Sequence, residues 1–330
     1  MKRRPVLMKR ELTTDISKCI HCHKCRDNCA FLSKYGLDIG DEAELRELAM
    51  HCFLAGKCTE VCPAGIDGRE VMLKMKRERV AEGSADLSPY RMLFAEKRDY
   101  IFKNYRHAEA ETVLFPGCNF PSMYPKTMKA LCRLLKDKAG IGVAYDCCGQ
   151  PLAELGLKED EERIVSGINH RFREHGIKEA VVLCPNCYYF LRDRLDVKVT
   201  TIYEKLAELG IGGSVDASAK VFVPCPDRVD RELLGQIQQG FASGPLEVYE
   251  EAGCCGLGGN AGPFEPELAK SMTDVIPKDA KVSVYCASCA GKLARDGIEN
   301  VSHVLTQILG TNERPDTGKS FINRALTKFK

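Results

Sequence analysis

The chain has no tryptophan, and aromatic residues make up only 7% of it. Neither shortage selects a function class, but three others do. A net charge of +2 on 330 residues leaves no electrostatic basis for gripping nucleic acid. No run approaches the roughly 18 consecutive apolar residues that a membrane-spanning helix needs. The start, MKRRPVLMKRELTTD, is basic but holds only a short apolar run before charge returns. It reads as a solvated tail, not as a secretory signal, and a cytoplasmic setting follows as the expectation. An apolar fraction of 44% over this length suffices for two or three packed domains.

Against those shortages stands one excess, 18 cysteines. Disulfide scaffolds of such density are mostly short and secreted. A cytoplasmic chain with repeated C-x-x-C spacing reads instead as a metal protein. The first pattern is CIHCHKCRDNCA, which sets Cys19, Cys22, Cys25 and Cys29 at ferredoxin spacing. In such a run three thiolates converge on one iron–sulfur cube and the fourth serves a second cluster. HCFLAGKCTEVCPAGID then supplies Cys52, Cys58 and Cys62, with Ala55 where a full run has another cysteine. Cys19, Cys22, Cys25 and Cys62 are thus expected to hold a [4Fe–4S] cluster. Cys29, Cys52 and Cys58 leave three thiols for the other. His21 and His23 read as loop surface, because four thiolates already saturate the first cluster.

This paired run, residues 17–66, resembles the C-terminal half of succinate dehydrogenase and fumarate reductase iron–sulfur subunits. There a run with one missing cysteine accompanies a [3Fe–4S] cluster. The resemblance implies three-iron chemistry at Cys29, Cys52 and Cys58. The alternative is a [4Fe–4S] cluster whose fourth ligand is His51, water or a partner's side chain. Helices are expected around 41–50 and over 67–82, a linker at 83–89, and a helical strap over 90–106.

The second pattern occurs twice. Cys118, Cys147-Cys148-Gly149 and Cys184-Pro-Asn-Cys187 return as Cys225, Cys254-Cys255-Gly256 and Cys286-Ala-Ser-Cys289. The first two landmarks lie 29 residues apart in both copies. Short β runs lead into the cysteines and helical runs separate them, as in α/β units with a site at the strand ends. Within the second copy, 301–310 reads as an amphipathic helix, followed by a basic closing segment. GLGGNA (256–261) fits a dinucleotide fingerprint. No hydrophobic strand runs directly into it and two cysteines precede it, so it reads as a loop that shields a cluster. Cys132, outside every motif, reads as a small buried hydrophobe. Five thiols per copy exceed the four that zinc or an ordinary cube requires. The glycine after each adjacent pair permits the turn that would aim both thiols into one cavity.

The repeat resembles the cysteine-rich CCG domain of heterodisulfide reductase catalytic subunits. Similar domains occur in iron–sulfur subunits of anaerobic glycerol-3-phosphate dehydrogenase, glycolate oxidase and lactate-utilisation proteins. A ferredoxin-type part ahead of two such domains resembles the membrane-type heterodisulfide reductase large subunit. The resemblance implies a noncubane [4Fe–4S] cluster on Cys118, Cys147, Cys148, Cys184 and Cys187. A second would sit on Cys225, Cys254, Cys255, Cys286 and Cys289, with a disulfide substrate split between the two. The expected fold is α+β: a helical ferredoxin-like domain (1–83), a linker or strap helix (84–110), and two α/β CCG domains (111–212 and 213–330). The expected function is reduction of a disulfide with electrons from a flavoprotein or other donor subunit. A non-catalytic subunit wiring a flavin dehydrogenase to quinone or a membrane partner is the alternative. No nucleic-acid partner is expected.

Overall fold

The computed structural model describes residues 11–329, so most of the basic start lies outside the described residues. In the front part, short helices at Lys24–Asn28, Ala30–Tyr35, Glu42–Glu47 and Lys57–Val61 surround a longer one at Gly68–Ala81. The Asp67 carboxylate accepts from the Glu70 amide and starts that helix. Its buried Val71, Met72 and Met75 pack on Phe31, Leu45, Leu54 and Ile66.

The two cysteine runs of this part follow one backbone course. Two and four residues after Cys19, His21 and His23 take left-handed φ of 47° and 60°. After Cys52, Leu54 and Gly56 do the same, at 50° and 76°. A helix begins on the next residue in each case, Lys24 and Lys57. Ala55 therefore stands where Cys22 stands in the first run.

Two sheets follow. Strands β1 (Asn104–His107), β2 (Thr112–Phe115), β3 (Gly142–Tyr145), β4 (Glu179–Val182) and β5 (Lys198–Thr201) form one sheet in the order β1-β3-β2-β4-β5. Only β1 is antiparallel to its neighbour. Strands β6 (Lys220–Phe222), β7 (Lys281–Val284) and β8 (Asn300–His303) form a parallel sheet in that order. Beside β6, the Val221 amide donates to Glu247 O and the Tyr249 amide to Val221 O. Residues 247–249 thus stand to β6 as β3 stands to β2. The second repeat keeps the topology of the first with that strand reduced to a bridge.

Two local expectations change. The segment 90–106 is helical only over Arg91–Lys97, and Asn104–His107 is an edge strand. The Asn104 side chain donates to Thr327 O at 2.8 Å, a tertiary bond that local pattern does not encode. Residues 301–310 begin as β8 and turn helical at Val304–Ile308. The counterpart in the first repeat, β5 followed by Ile202–Glu208, has the same order. Each of these helices starts on a side-chain cap from the last strand residue, Thr201 in one and His303 in the other.

One buried apolar cluster runs from Ala108 to Ile308 and joins the repeats. Its polar pin is Asp227, fully buried, which accepts from Tyr189, from Tyr285 (2.6 Å) and from the Leu233 and Leu234 amides (3.0 and 2.9 Å). Burial holds its carboxyl above the usual range. Asp227→Ala orphans four buried donors and is expected to cost about 3 kcal/mol or more, read as a lowered anaerobic unfolding midpoint. Asp227→Asn, which keeps an acceptor, should cost less.

Candidate iron–sulfur sites

All 18 cysteines are free of disulfides. Cys19, Cys22, Cys25 and Cys62 line one small cavity with Asp38, Ile39 and Pro63. It lies near the surface, with Cys22 exposed and Ile20 68% exposed. Asp38 is buried beneath it, and its Oδ2 lies 3.0 Å from Nδ1 of both His21 and His23. The two rings remain about half exposed, as loop-surface histidines should, but the carboxylate fixes them. No motif marks Asp38 in the sequence. Gly40 closes the cavity from the side, since a Cβ there would stand 2.9 Å from Cys19 Sγ.

Cys29, Cys52 and Cys58 form a deeper group, with Cys52 and Cys58 each 8% exposed. Burial, and then the neighbouring Cys29 and Cys52 thiols, push Cys58 well above its ordinary value. Burial lifts Cys29 to about 11. Ionising such a group needs a compensating cation, which is what iron supplies. His51 turns Nδ1 to the buried Glu265 at 2.7 Å and packs its ring against Phe264. The Ala55 carbonyl accepts from Arg228 Nε at 3.1 Å, so the side with the missing cysteine faces the second repeat. The 256–261 loop also lies there. A Cβ on Gly258 would stand 2.3 Å from Phe53 O, and one on Gly259 2.3 Å from Cys52 O. These glycines allow the loop to close on a cysteine-bearing turn.

Cysteines of the duplicated pattern follow the strand ends: Cys118 after β2, Cys147 after β3, Cys184 after β4, Cys225 after β6 and Cys286 after β7, while Cys254 follows the bridge at Val248. Gly149 and Gly256 take φ of 90° and 84°, and a Cβ on Gly256 would stand 2.3 Å from Ala269 O. Cys184 and Cys286 each sit at the start of a helix, Pro185–Leu191 and Ala287–Arg295.

The thiols interact in one unbroken series. In the first copy it runs Cys118, Cys147, Cys148, Cys187, Cys184. It crosses from Cys184 to Cys286 and continues through Cys289, Cys255, Cys254 and Cys225. The Cys289 and Cys255 sulfurs are 3.6 Å apart. The second thiol of each adjacent pair is the more acidic. Hydrogen bonds from Cys147 and Cys187 draw Cys148 below the usual thiol range, and those from Cys254 and Cys289 draw Cys255 below it.

Nine of the ten line a single cavity of about 310 Å³, which also receives Glu96, Lys97, Asn119, Ser288 and Arg324. Lys97 is 5% exposed and Arg324 approaches from helix Ser320–Leu326. Glu96 Oε1 meets both, at 2.8 Å and 2.7 Å, so one carboxylate faces two cations. The Arg324 Nε has no hydrogen-bond partner among the described residues. Excess positive charge beside Cys118 and Cys147 fits an anionic sulfur-ligated group. No motif signals these cations, which lie far apart along the chain. Cys132, partly buried, packs at the core edge with its sulfur 3.7 Å from Tyr145 OH.

Residues 112–192 match the cysteine-rich CCG domain family. One of the subunits of the fumarate reductase (CoM/CoB) of Methanothermobacter marburgensis is 23% identical over 88% of this chain and 70% of its own length. An EtfAB:quinone oxidoreductase of Syntrophomonas wolfei is 27% identical over 58% of this chain, which spans only 32% of that protein. An uncharacterized iron–sulfur protein of Methanococcus maripaludis is 23% identical over 78% of this chain and 62% of its own length. Among the described residues no helix is long and apolar enough to cross a membrane. Residues 112–192 are thus a CCG cysteine-rich domain, and the chain as a whole is similar to oxidoreductases or their subunits and to an uncharacterized iron–sulfur protein.

Proposed function

We propose that this chain is an electron-transfer subunit that reduces a disulfide in the cavity between its two CCG repeats. The observation that carries this reading is the continuous ten-thiol series, whose halves meet at Cys184 and Cys286 inside one cavity. A relay needs the two clusters only within electron-tunnelling reach of each other, not open to one shared space. Two complete five-thiol sets facing one space suit a substrate held between them.

Cys19, Cys22, Cys25 and Cys62 would hold a [4Fe–4S] cluster near the surface, where a flavoprotein or other donor subunit delivers electrons. Cys29, Cys52 and Cys58 would hold a three-iron cluster. Two further clusters would use the five thiols of each repeat. When bound, these groups supply one-electron storage. The residues of the chain do the rest. Lys97 and Arg324 offset negative charge beside Cys118 and Cys147, and Asn119 and Ser288, bonded at 2.6 Å, hold the two repeats in register at the cavity. The overall reaction takes two electrons and two protons and converts one disulfide into two thiols.

The test is anaerobic reconstitution of the full chain, followed by reduction with a viologen dye and addition of small disulfides. A paramagnetic signal that changes on adding disulfide, with dye oxidised and two thiols released per disulfide, is expected. Full iron loading without thiol release would sink the catalytic reading.

The relative named for quinone supports a second reading, in which the repeats pass electrons to a quinone partner. Dye oxidation by a soluble quinone but by no disulfide would select it.

A further inference from the structure

Lys76 stands out among the basic residues of helix Gly68–Ala81. Its neighbour Lys74 has a side chain 70% exposed, whereas Lys76 is 0% exposed. Its ammonium donates to the Cys52 carbonyl at 2.9 Å and to the Gly259 carbonyl at 2.7 Å. Among the described residues it makes no ion pair. The nearby Glu154 is engaged by Arg69 at 3.1 Å and by the Gly259 amide at 3.1 Å. Burying a charge against carbonyl dipoles alone is costly, and a residue serving only to fill this space would be apolar. An anionic group held through Cys52 would supply the missing counter-charge.

We propose that Lys76 is a positioning residue that sets the reduction potential of the cluster at Cys29, Cys52 and Cys58 and ties its turn to the 258–260 loop of the second repeat. An electron added to that cluster brings one negative charge and forms or breaks no bond in the chain. A fixed cation at the Cys52 backbone favours the reduced state, so the cluster becomes the easier one to reduce on the way toward the cavity. The inference rests on a cluster at those three thiols, but not on disulfide reduction.

The experiment is a potentiometric titration of the anaerobically loaded full chain, followed by EPR, with Lys76→Met, Lys76→Gln and Lys76→Arg. The neutral variants are expected to make one-electron reduction of this cluster at least tenfold less favourable, a potential lower by about 59 mV. The Cys19 cluster should not move, and Lys76→Arg should restore most of the shift. Neutral variants that load fully and titrate as the unsubstituted protein does overturn the proposal. So does an equal shift of both front clusters. If neither neutral variant takes up the second cluster while Lys76→Arg does, the role is structural and the proposal falls. A missing second-cluster signal in the unsubstituted protein removes its premise, and disulfide-dependent thiol release remains testable separately.

Discussion

Cys148→Ala and Cys255→Ala are each expected to remove the iron of one cluster, about four atoms per chain, and to leave the front clusters intact. Each thiol is the central member of its set, touching Cys147 and Cys187 in one copy and Cys254 and Cys289 in the other. Removing it breaks the series in the middle, and every other cysteine of the cavity wall already belongs to one of the two sets. Thiol release should fall by about 100-fold or more, since outer-shell changes at metal sites already cost 10–100-fold. Iron analysis, EPR of the two front clusters and the dye-coupled assay on the same samples decide it. Retention of activity in either variant would mean that its repeat is not part of the reaction.

The second large effect lies at Gly259, between Gly258 and Asn260 of the cavity wall. Its φ is 60°, and a Cβ would stand 2.3 Å from Cys52 O and 2.8 Å from Phe53 C. Gly259→Val adds left-handed strain of roughly 1–3 kcal/mol to an overpacking cost of similar size, about 1–3 kcal/mol. The obstacle is backbone, so no rotamer relieves it. The anaerobic unfolding midpoint should drop clearly, and iron at Cys29, Cys52 and Cys58 should be lost before the iron of the first cluster. Gly262 is the control in the same loop. Nothing lies within 4 Å of a Cβ there, and Gly262→Ala should change stability by no more than about 0.5 kcal/mol. Equal losses in both variants would show that the loop tolerates no side chain for reasons other than the contact with Cys52.

The motif thiols are legible in the sequence because sulfur ligands admit few substitutes and the spacing occurs twice. Gly149 and Gly256 are legible for the same reason, as the turns the adjacent pairs require. The fourth strand of each repeat is not. KVTTIYEKL and NVSHVLTQI pass from strand to helix without a break, so period two and period 3.6 overlap within nine residues. Lys97, Glu96 and Arg324 carry no motif and meet only through packing between distant segments. Lys76 is hidden differently, inside a run of basic residues in which Lys74 faces solvent and Arg77 and Arg79 are partly buried in ion pairs. What decides its role is burial, and the local sequence does not show which lysine of such a run points inward.

Helix Ser320–Leu326 follows every thiol in chain order, and it contributes Arg324 to the cavity wall. A chain made from its N-terminus has therefore exposed all its sulfur before this wall can be placed. The helix is held there through Ser122, Asn119 and Glu96. One side of the cavity is thus walled by a segment that lies beyond all ten thiols of the repeats in the sequence, so a change in this helix can alter the cavity without touching a ligand.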